Sequence, residues 1–209
     1  MKRILIADDH AIVRRGLKDI LLEEFPNAQI REVADAESLV AEVRKQEWDI
    51  VITDLTMPGR SGLEALQEIK NISARLPVLI LSAHSEDHYA VRVLKAGASG
   101  YLMKESAPDE LIIAVQRALL GKKYITPAIA EKLACAFDIN SNILPHETLS
   151  NREFQVFKML ASGKSVSEIG HILFLSTTTI STYRSRIMAK MNIKINAGLT
   201  HYALEHKII

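Results

Sequence analysis

Along the first 120 residues, short aliphatic runs alternate with amphipathic stretches. Apolar runs at residues 3–8, 29–34, 50–53, 77–81 and 100–103 predict five strands. Between them, residues 11–24 place Val13, Leu17, Ile20 and Leu21 at helical spacing. Residues 38–46, 62–69, 86–96 and 108–120 complete a set of five predicted helices. Pro26-Asn27 ends the first, Ser38 is positioned to cap the second, and Pro108 suits the first turn of the fifth. Strands alternating with helices predict an α/β doubly wound fold around a five-stranded parallel sheet. The runs at 3–8, 50–53 and 77–81 are nearly continuous in apolar residues, as strands covered on both faces must be.

Beyond residue 121 the period becomes purely helical. Residues 122–147 predict a linker with one short helix, opened by Thr126-Pro127 and running to Phe137, followed by the polar stretch Asp138-Ile139-Asn140-Ser141-Asn142. Residues 148–209 predict a small all-α domain. Ser150 caps a helix to Ala161, and Ser162-Gly163 stops it. Ser165-Val166-Ser167-Glu168 has the form of a capping box opening a second helix. Ser176 caps a third helix, 176–191, and a last one covers about 196–206. The connection Leu173-Phe174-Leu175-Ser176 has the length of a helix-turn-helix turn.

The chain's 209 residues suffice for two domains. No apolar run approaches the ~18 residues of a membrane span. The apolar stretch after Met1-Lys2-Arg3 ends at once in Asp8-Asp9, unlike a secretory signal. One cysteine, Cys135, cannot form an intramolecular disulfide, so a cytoplasmic setting without membrane contact is expected. Charge is segregated: residues 1–121 carry 15 Lys+Arg against 19 Asp+Glu, and residues 122–209 carry 11 against 6. An acidic half followed by a basic one suggests two tasks, the second directed at a polyanion.

In sheets of this kind functional side chains collect beyond the carboxyl ends of the strands. That rule selects Asp8, Asp9, Asp54, Ser82 and Lys104. Three converging carboxylates repel one another, and a hard cation such as Mg2+ relieves the repulsion while accepting phosphate oxygens. A carboxylate beside such an ion can attack a phosphoryl group to form an aspartyl phosphate. Lys104 can pair with Asp54 or with the added phosphoryl oxygens, and the Ser82 hydroxyl can donate to them. No glycine-rich fingerprint follows the first strand, which argues against a dinucleotide-binding enzyme. His84 and His88 form no metal constellation.

Asp8-Asp9, the stretch Asp54-Leu55-Thr56-Met57-Pro58-Gly59-Arg60-Ser61-Gly62, Ser82-Ala83, Gly97-Ala98, Gly100-Tyr101 and Lys104 together resemble the CheY-like receiver superfamily over residues 1–121. The resemblance implies Asp54 as phosphoacceptor. It implies Asp8, Asp9, Asp54 and the backbone carbonyl of Thr56 as Mg2+ ligands, and Ser82 with Tyr101 as a switch pair. Haloacid-dehalogenase-type phosphatases place a second aspartate where Thr56 stands, so a switch is favoured over a hydrolase and the chain is read as no enzyme.

The tail, through Leu149-Ser150, Arg152-Glu153, Leu160-Ala161, Gly163, Glu168-Ile169, Leu175-Ser176, Thr179-Ile180, Ser185 and Tyr202-Ala203-Leu204-Glu205-His206, resembles the LuxR-type helix-turn-helix of NarL/FixJ regulators. That resemblance places Ser181, Thr182 and Ser185 toward the bases of double-stranded DNA, and Arg184, Arg186 and Lys190 toward phosphates. Ser176, Thr177, Thr178 and Thr179 crowd the helix start, where amides and hydroxyls can grip a phosphate. Tyr183 stands where the family often has histidine, and Val166-Ser167 replaces a common Asn-Lys. Both departures leave the target sequence open. The combined resemblance implies a two-component transcriptional regulator, phosphorylated by a sensor histidine kinase, whose phosphorylation drives homodimerisation and frees the recognition helix. A phosphorylation-independent DNA-binding regulator gated by a protein partner is the alternative. Glu86, His88, Tyr89, Arg92 and Lys104 mark one surface for pairing, without excluding others.

Overall fold

A computed structural model describes residues 1–83, 86–137 and 144–209. The chain divides into two compact units, Met1–Asp138 and Ile139–Ile209. In the first, β1 (Arg3–Ala7), β2 (Gln29–Val33), β3 (Ile50–Asp54), β4 (Val78–Ser82) and β5 (Gly100–Met103) form one parallel sheet in the order β2-β1-β3-β4-β5. The helices are α1 (Ala11–Glu24), α2 (Ala36–Lys45), α3 (Gly62–Ile72), α4 (Glu86–Lys95), α5 (Ala107–Leu119) and α6 (Pro127–Phe137).

Alternation along the strands sorts their side chains to the two faces. Leu5, Val51, Val78 and Ile80 are buried with Leu39 of α2, Leu66 of α3 and Val93 of α4. Ile4, Ile6, Ile50, Ile52, Leu79 and Leu81 are buried with Leu17 of α1 and Leu111 of α5. The register pairs Asp54 with Leu81 and Ser82 with Met103, which aligns the carboxyl ends of the central strands. Asp54 and Ser82 are thus the last residues of their strands rather than the first beyond them.

Two local expectations change. The second helix is capped by Asp35, whose carboxylate accepts from the Ser38 N–H at 2.7 Å; Ser38 is inside the first turn, not the cap. Asp35 is the stronger acceptor and sits one residue before the helix, where the orphan amides point. Residues 122–147 are also not wholly a linker. The Tyr124 N–H donates to the Ser99 carbonyl at 2.7 Å beside β5, and Ile129 of α6 is fully buried with Ala90, Val93 and Leu94 of α4. This helix belongs to the first unit, because its apolar side has a preformed surface to cover. His84, the side chain of His88 and the polar stretch 138–142 lie outside the described residues.

The described residues of the second unit form a 3-10 turn, Pro145–Thr148, followed by α7 (Asn151–Ala161), α8 (Val166–Leu173), α9 (Thr177–Met191) and α10 (Asn196–Glu205). Ser150 and Ser165 each close a capping box, with Glu153 and Glu168 respectively. Phe154 and Phe157 of α7, Ile169 of α8, Ile180 and Ile187 of α9 and Leu199 of α10 are fully buried. No helix among the described residues is long and apolar enough to cross a membrane.

Candidate functional site

At the carboxyl edge of the first unit, Asp8 follows β1, Asp54 ends β3 and Lys104 follows β5. The Lys104 Nζ lies 2.8 Å from Asp54 Oδ2 and 2.7 Å from Asp8 Oδ2. Carboxylate oxygens of Asp8, Asp9 and Asp54 and a ring nitrogen of His10 all lie within 4.8 Å of one another. Asp8 and Asp54 are buried, while Asp9 is partly exposed. The Asp8 carboxylate accepts from the His10 N–H at 2.8 Å, and its backbone carbonyl accepts from Arg14 at 2.6 Å. The Thr56 N–H donates to Asp54 Oδ1 at 3.2 Å, so the chain turns back over this carboxylate directly after β3.

Burial raises the pKa of Asp54 above the ordinary carboxylate value and the like charge of Asp8 adds to this, against the opposing pull of Lys104 and the Thr56 N–H. Burial alone would lower the pKa of Lys104, but attraction to the Asp54 and Asp8 carboxylates outweighs it and holds the ammonium above its ordinary value. One ammonium thus faces two buried carboxylates, and the third, Asp9, lies close by. Asp8 Oδ2 and Asp9 Oδ1 are buried atoms without a hydrogen bond. Asp8 Oδ2 lies 2.7 Å from Lys104 Nζ, and Asp9 Oδ1 lies 2.8 Å from His10 Nδ1. Spare oxygens on a surplus of carboxylate charge fit a hard divalent cation.

The loop beyond Asp54 is held in close. Gly59 has φ +72°, and the Gly62 N–H donates to the Leu55 carbonyl at 2.9 Å. A Cβ at Gly62 would lie 1.9 Å from the Asp54 carbonyl oxygen, so only glycine lets α3 begin here. Ser61 and Glu64 close a capping box over that start. Ser82 is buried at the end of β4, and the Tyr101 ring is fully buried, turned into the core with Val93 and Leu94. His10 was not selected from sequence. The signal was its place right after the acidic pair, at the start of α1, where its ring must fall beside those carboxylates.

In the second unit, the turn between α8 and α9 runs through Phe174 in the left-handed region at φ 54°. A Cβ at Gly170 would come within 2.8 Å of the Leu175 carbonyl oxygen, which sets how closely that turn folds over α8. Ser176 caps α9 through the Thr179 N–H at 3.1 Å, and its hydroxyl also meets the Thr179 hydroxyl at 2.8 Å. Thr177, Thr178, Ser181, Thr182, Ser185 and Arg186 are exposed, while Thr179, Tyr183 and Arg184 are half-buried. Thr178, Ser181, Thr182, Ser185 and Arg186 follow helical spacing and form one outward stripe.

Two of the cations expected at phosphates also have partners within this unit. Arg184 Nε donates to Asn196 Oδ1 at 2.9 Å, and Lys190 Nζ pairs with the nearly buried Glu153 carboxylate at 2.6 Å. Both partners come from other helices, so spacing along α9 could not disclose them. The pKa of Glu153 is lowered: burial would raise it, but Lys190 and the Ser150 cap outweigh burial.

Comparison with known proteins matches the two units to two families. Residues 4–116 match the response regulator receiver domain, and residues 147–203 match the bacterial regulatory proteins of the luxR family. The response regulator UvrY of Escherichia coli (strain K12) is 35% identical over 207 residues, 99% of this chain and 95% of that protein. The oxygen regulatory protein NreC of Staphylococcus carnosus is 35% identical over 214 residues, 99% of each chain. Among solved structures, RcsB from Salmonella enterica serovar Typhimurium, bound to promoter rprA in the presence of phosphomimetic BeF3-, superposes with a TM-score of 0.65. It is 26% identical, covering 97% of this chain and 98% of that one. The chain therefore belongs to the two-component response regulators that join a receiver domain to a LuxR-type DNA-binding domain, a family of transcriptional regulators and not of enzymes.

Proposed function

We propose that Asp54 accepts a phosphoryl group from a sensor histidine kinase and that this modification controls DNA binding by the second unit. An Asp54 carboxylate oxygen attacks the phosphorus of a phosphohistidine. The P–N bond breaks, its electron pair returns to the kinase's imidazole, and an acyl phosphate remains on Asp54. Asp8, Asp9, Asp54 and the Thr56 carbonyl would hold Mg2+, which supplies charge neutralisation to the carboxylates and the transferred group. Lys104 is within reach of Asp54 and pairs with the new phosphoryl oxygens. The Ser82 hydroxyl, at the neighbouring strand end, donates to the same group, and the inward Tyr101 ring fills the space behind it. Thr56 supplies no carboxylate for activating water, which favours a lasting adduct.

The observation that carries this reading is the ammonium of Lys104 held between Asp54 and Asp8, with the buried Asp9 Oδ1 close by and without a hydrogen bond. We place the outward stripe of α9 in the major groove, with the capped start of the helix against a phosphate. Arg186 is the charged member of that stripe. A homodimer reading two half-sites follows from the small surface a single such unit offers, and the promoter-bound RcsB structure obtained with BeF3- supports a link between phosphorylation and DNA binding. The domain roles are then a receiver extending through α6 and a DNA-binding unit from about residue 148. The direct test is acetyl phosphate with Mg2+, followed by mass spectrometry of the peptides. An adduct on Asp54 that disappears in Asp54→Asn supports the reading. Its absence would favour the regulator gated by a protein partner.

A further inference from the structure

The amino edge of the sheet, opposite the acidic pocket, gathers charge of the other sign. The parallel order brings the starts of β1, β3 and β4 side by side. Lys2 and Arg3 lead into β1, Arg44 and Lys45 end α2, and Arg75 lies between α3 and β4. A cavity of about 880 Å3 opens among them, lined by these five cations against two carboxylates, Glu47 and Asp49. Part of this charge is answered within the unit. Asp49 accepts from the Arg3 backbone N–H, Arg44 pairs with Glu68 and Lys45 with Glu42, each at 2.7 Å. The Arg3 guanidinium donates to the Glu47 carbonyl at 3.3 Å. Among the described residues, the side chains of Lys2 and Arg75 have neither an ion pair nor a hydrogen bond, and both are exposed.

Like charges gathered around one cavity repel, and a bound anion relieves the repulsion. Cations alone would suit any anion, but this cavity has an apolar side as well. Val43 and Leu76 are buried in its wall, and Trp48 is half-buried beside them against the same core. The indole is fixed in place, because its Nε1 donates to the Glu42 carbonyl at 3.0 Å. Ligand sites of this size combine apolar surface with a few convergent polar groups. Guanidinium groups match phosphate oxygens, and an indole face suits a flat ring. We infer that this cavity binds a nucleotide, with its phosphates held by Lys2, Arg3 and Arg75 and its base against Trp48. The site is separate from the acidic pocket and does not rest on phosphoryl transfer to Asp54. Leu119 and Gly121, where α5 ends and the chain turns toward α6, also line the cavity. A bound nucleotide therefore touches the segment that leads out of the sheet into α6.

Trp48 is the only tryptophan of the chain, so its fluorescence reports on this cavity and not on the DNA-binding unit. The full chain is titrated with ATP and with GTP in EDTA, which keeps divalent cations out of the carboxylate pocket. Saturable quenching is expected with at least one of the two. Lys2→Gln and Arg75→Gln, both at exposed positions, each weaken it about tenfold, the worth of one charge-assisted contact to a phosphate. Tripolyphosphate, which lacks the ring, and adenosine, which lacks the phosphates, bind more weakly than the nucleotide. Tripolyphosphate bound as tightly as the nucleotide would make the cavity a general anion patch and overturn the inference. No saturable change with either nucleotide, or undiminished affinity when Lys2→Gln and Arg75→Gln are combined, overturns it as well.

Discussion

Asp54 shows how one carboxylate can serve chemistry at a cost to the fold. Its pKa is raised by burial and by Asp8, so its ionised form is favoured less in the folded chain than in the unfolded one. The sign follows directly: the penalty is full above the folded pKa and vanishes below the unfolded one. Asp54→Asn is expected to melt at a higher temperature than the parent at neutral pH, with the difference closing on acidification. Thermal melts at neutral and at acid pH check this, and a less stable variant at pH 7 would contradict it. Gly62 has the opposite character, since its importance lies in what is missing. Gly62→Ala drives a methyl into the Asp54 carbonyl, and a loss of about 1–3 kcal/mol is expected. Phosphoryl acceptance should fall with it, because the residue displaced is the proposed acceptor. Denaturant unfolding and labelling by acetyl phosphate measure the two effects separately.

The helices of the second unit are held by contacts at their ends. Ser176→Ala removes the α9 cap and should cost about 1 kcal/mol. The Glu153–Lys190 pair ties the start of α7 to the end of α9. The pKa of Glu153 is depressed, so its stabilisation is present above the ordinary value of 4.5 and is lost as pH falls through the folded value. The second unit should lose stability over that acid range, and Lys190→Met should flatten the loss, as circular dichroism against pH would register. These elements also mark what a linear reading can reach. Strand and helix periods, the serine caps at 150, 165 and 176, and the alignment of Asp8, Asp54 and Lys104 at strand ends all follow from local spacing and one topological rule. The His10 contact, the docking of α6 on α4 and the partners of Arg184 and Lys190 depend on residues distant in sequence or on loop geometry. No period along a single helix encodes them. Asp35 displaced Ser38 as a cap because the helix starts at Ala36, two residues earlier than its apolar spacing suggests, and the helix start decides which oxygen meets the orphan amides.

Across the whole molecule, the charge divides as the tasks do. Residues 1–121 have a net charge of −4 and residues 122–209 a net charge of +5. Binding of the second unit to duplex DNA should weaken steeply with salt, as phosphate contacts require. A salt-independent affinity would place the basic surface elsewhere. The first unit includes α6, packed against α4, so the proposed phosphoryl group on Asp54 would act on a receiver that extends through that helix. The most direct measurement is the duplex affinity of the full chain by fluorescence anisotropy, with and without beryllofluoride and Mg2+, for the parent and for Asp54→Ala. The expected result is tighter binding on beryllofluoride treatment of the parent and no change in the variant. Equal affinities in the treated and untreated parent, or an equal gain in Asp54→Ala, would contradict control of DNA binding through this carboxylate.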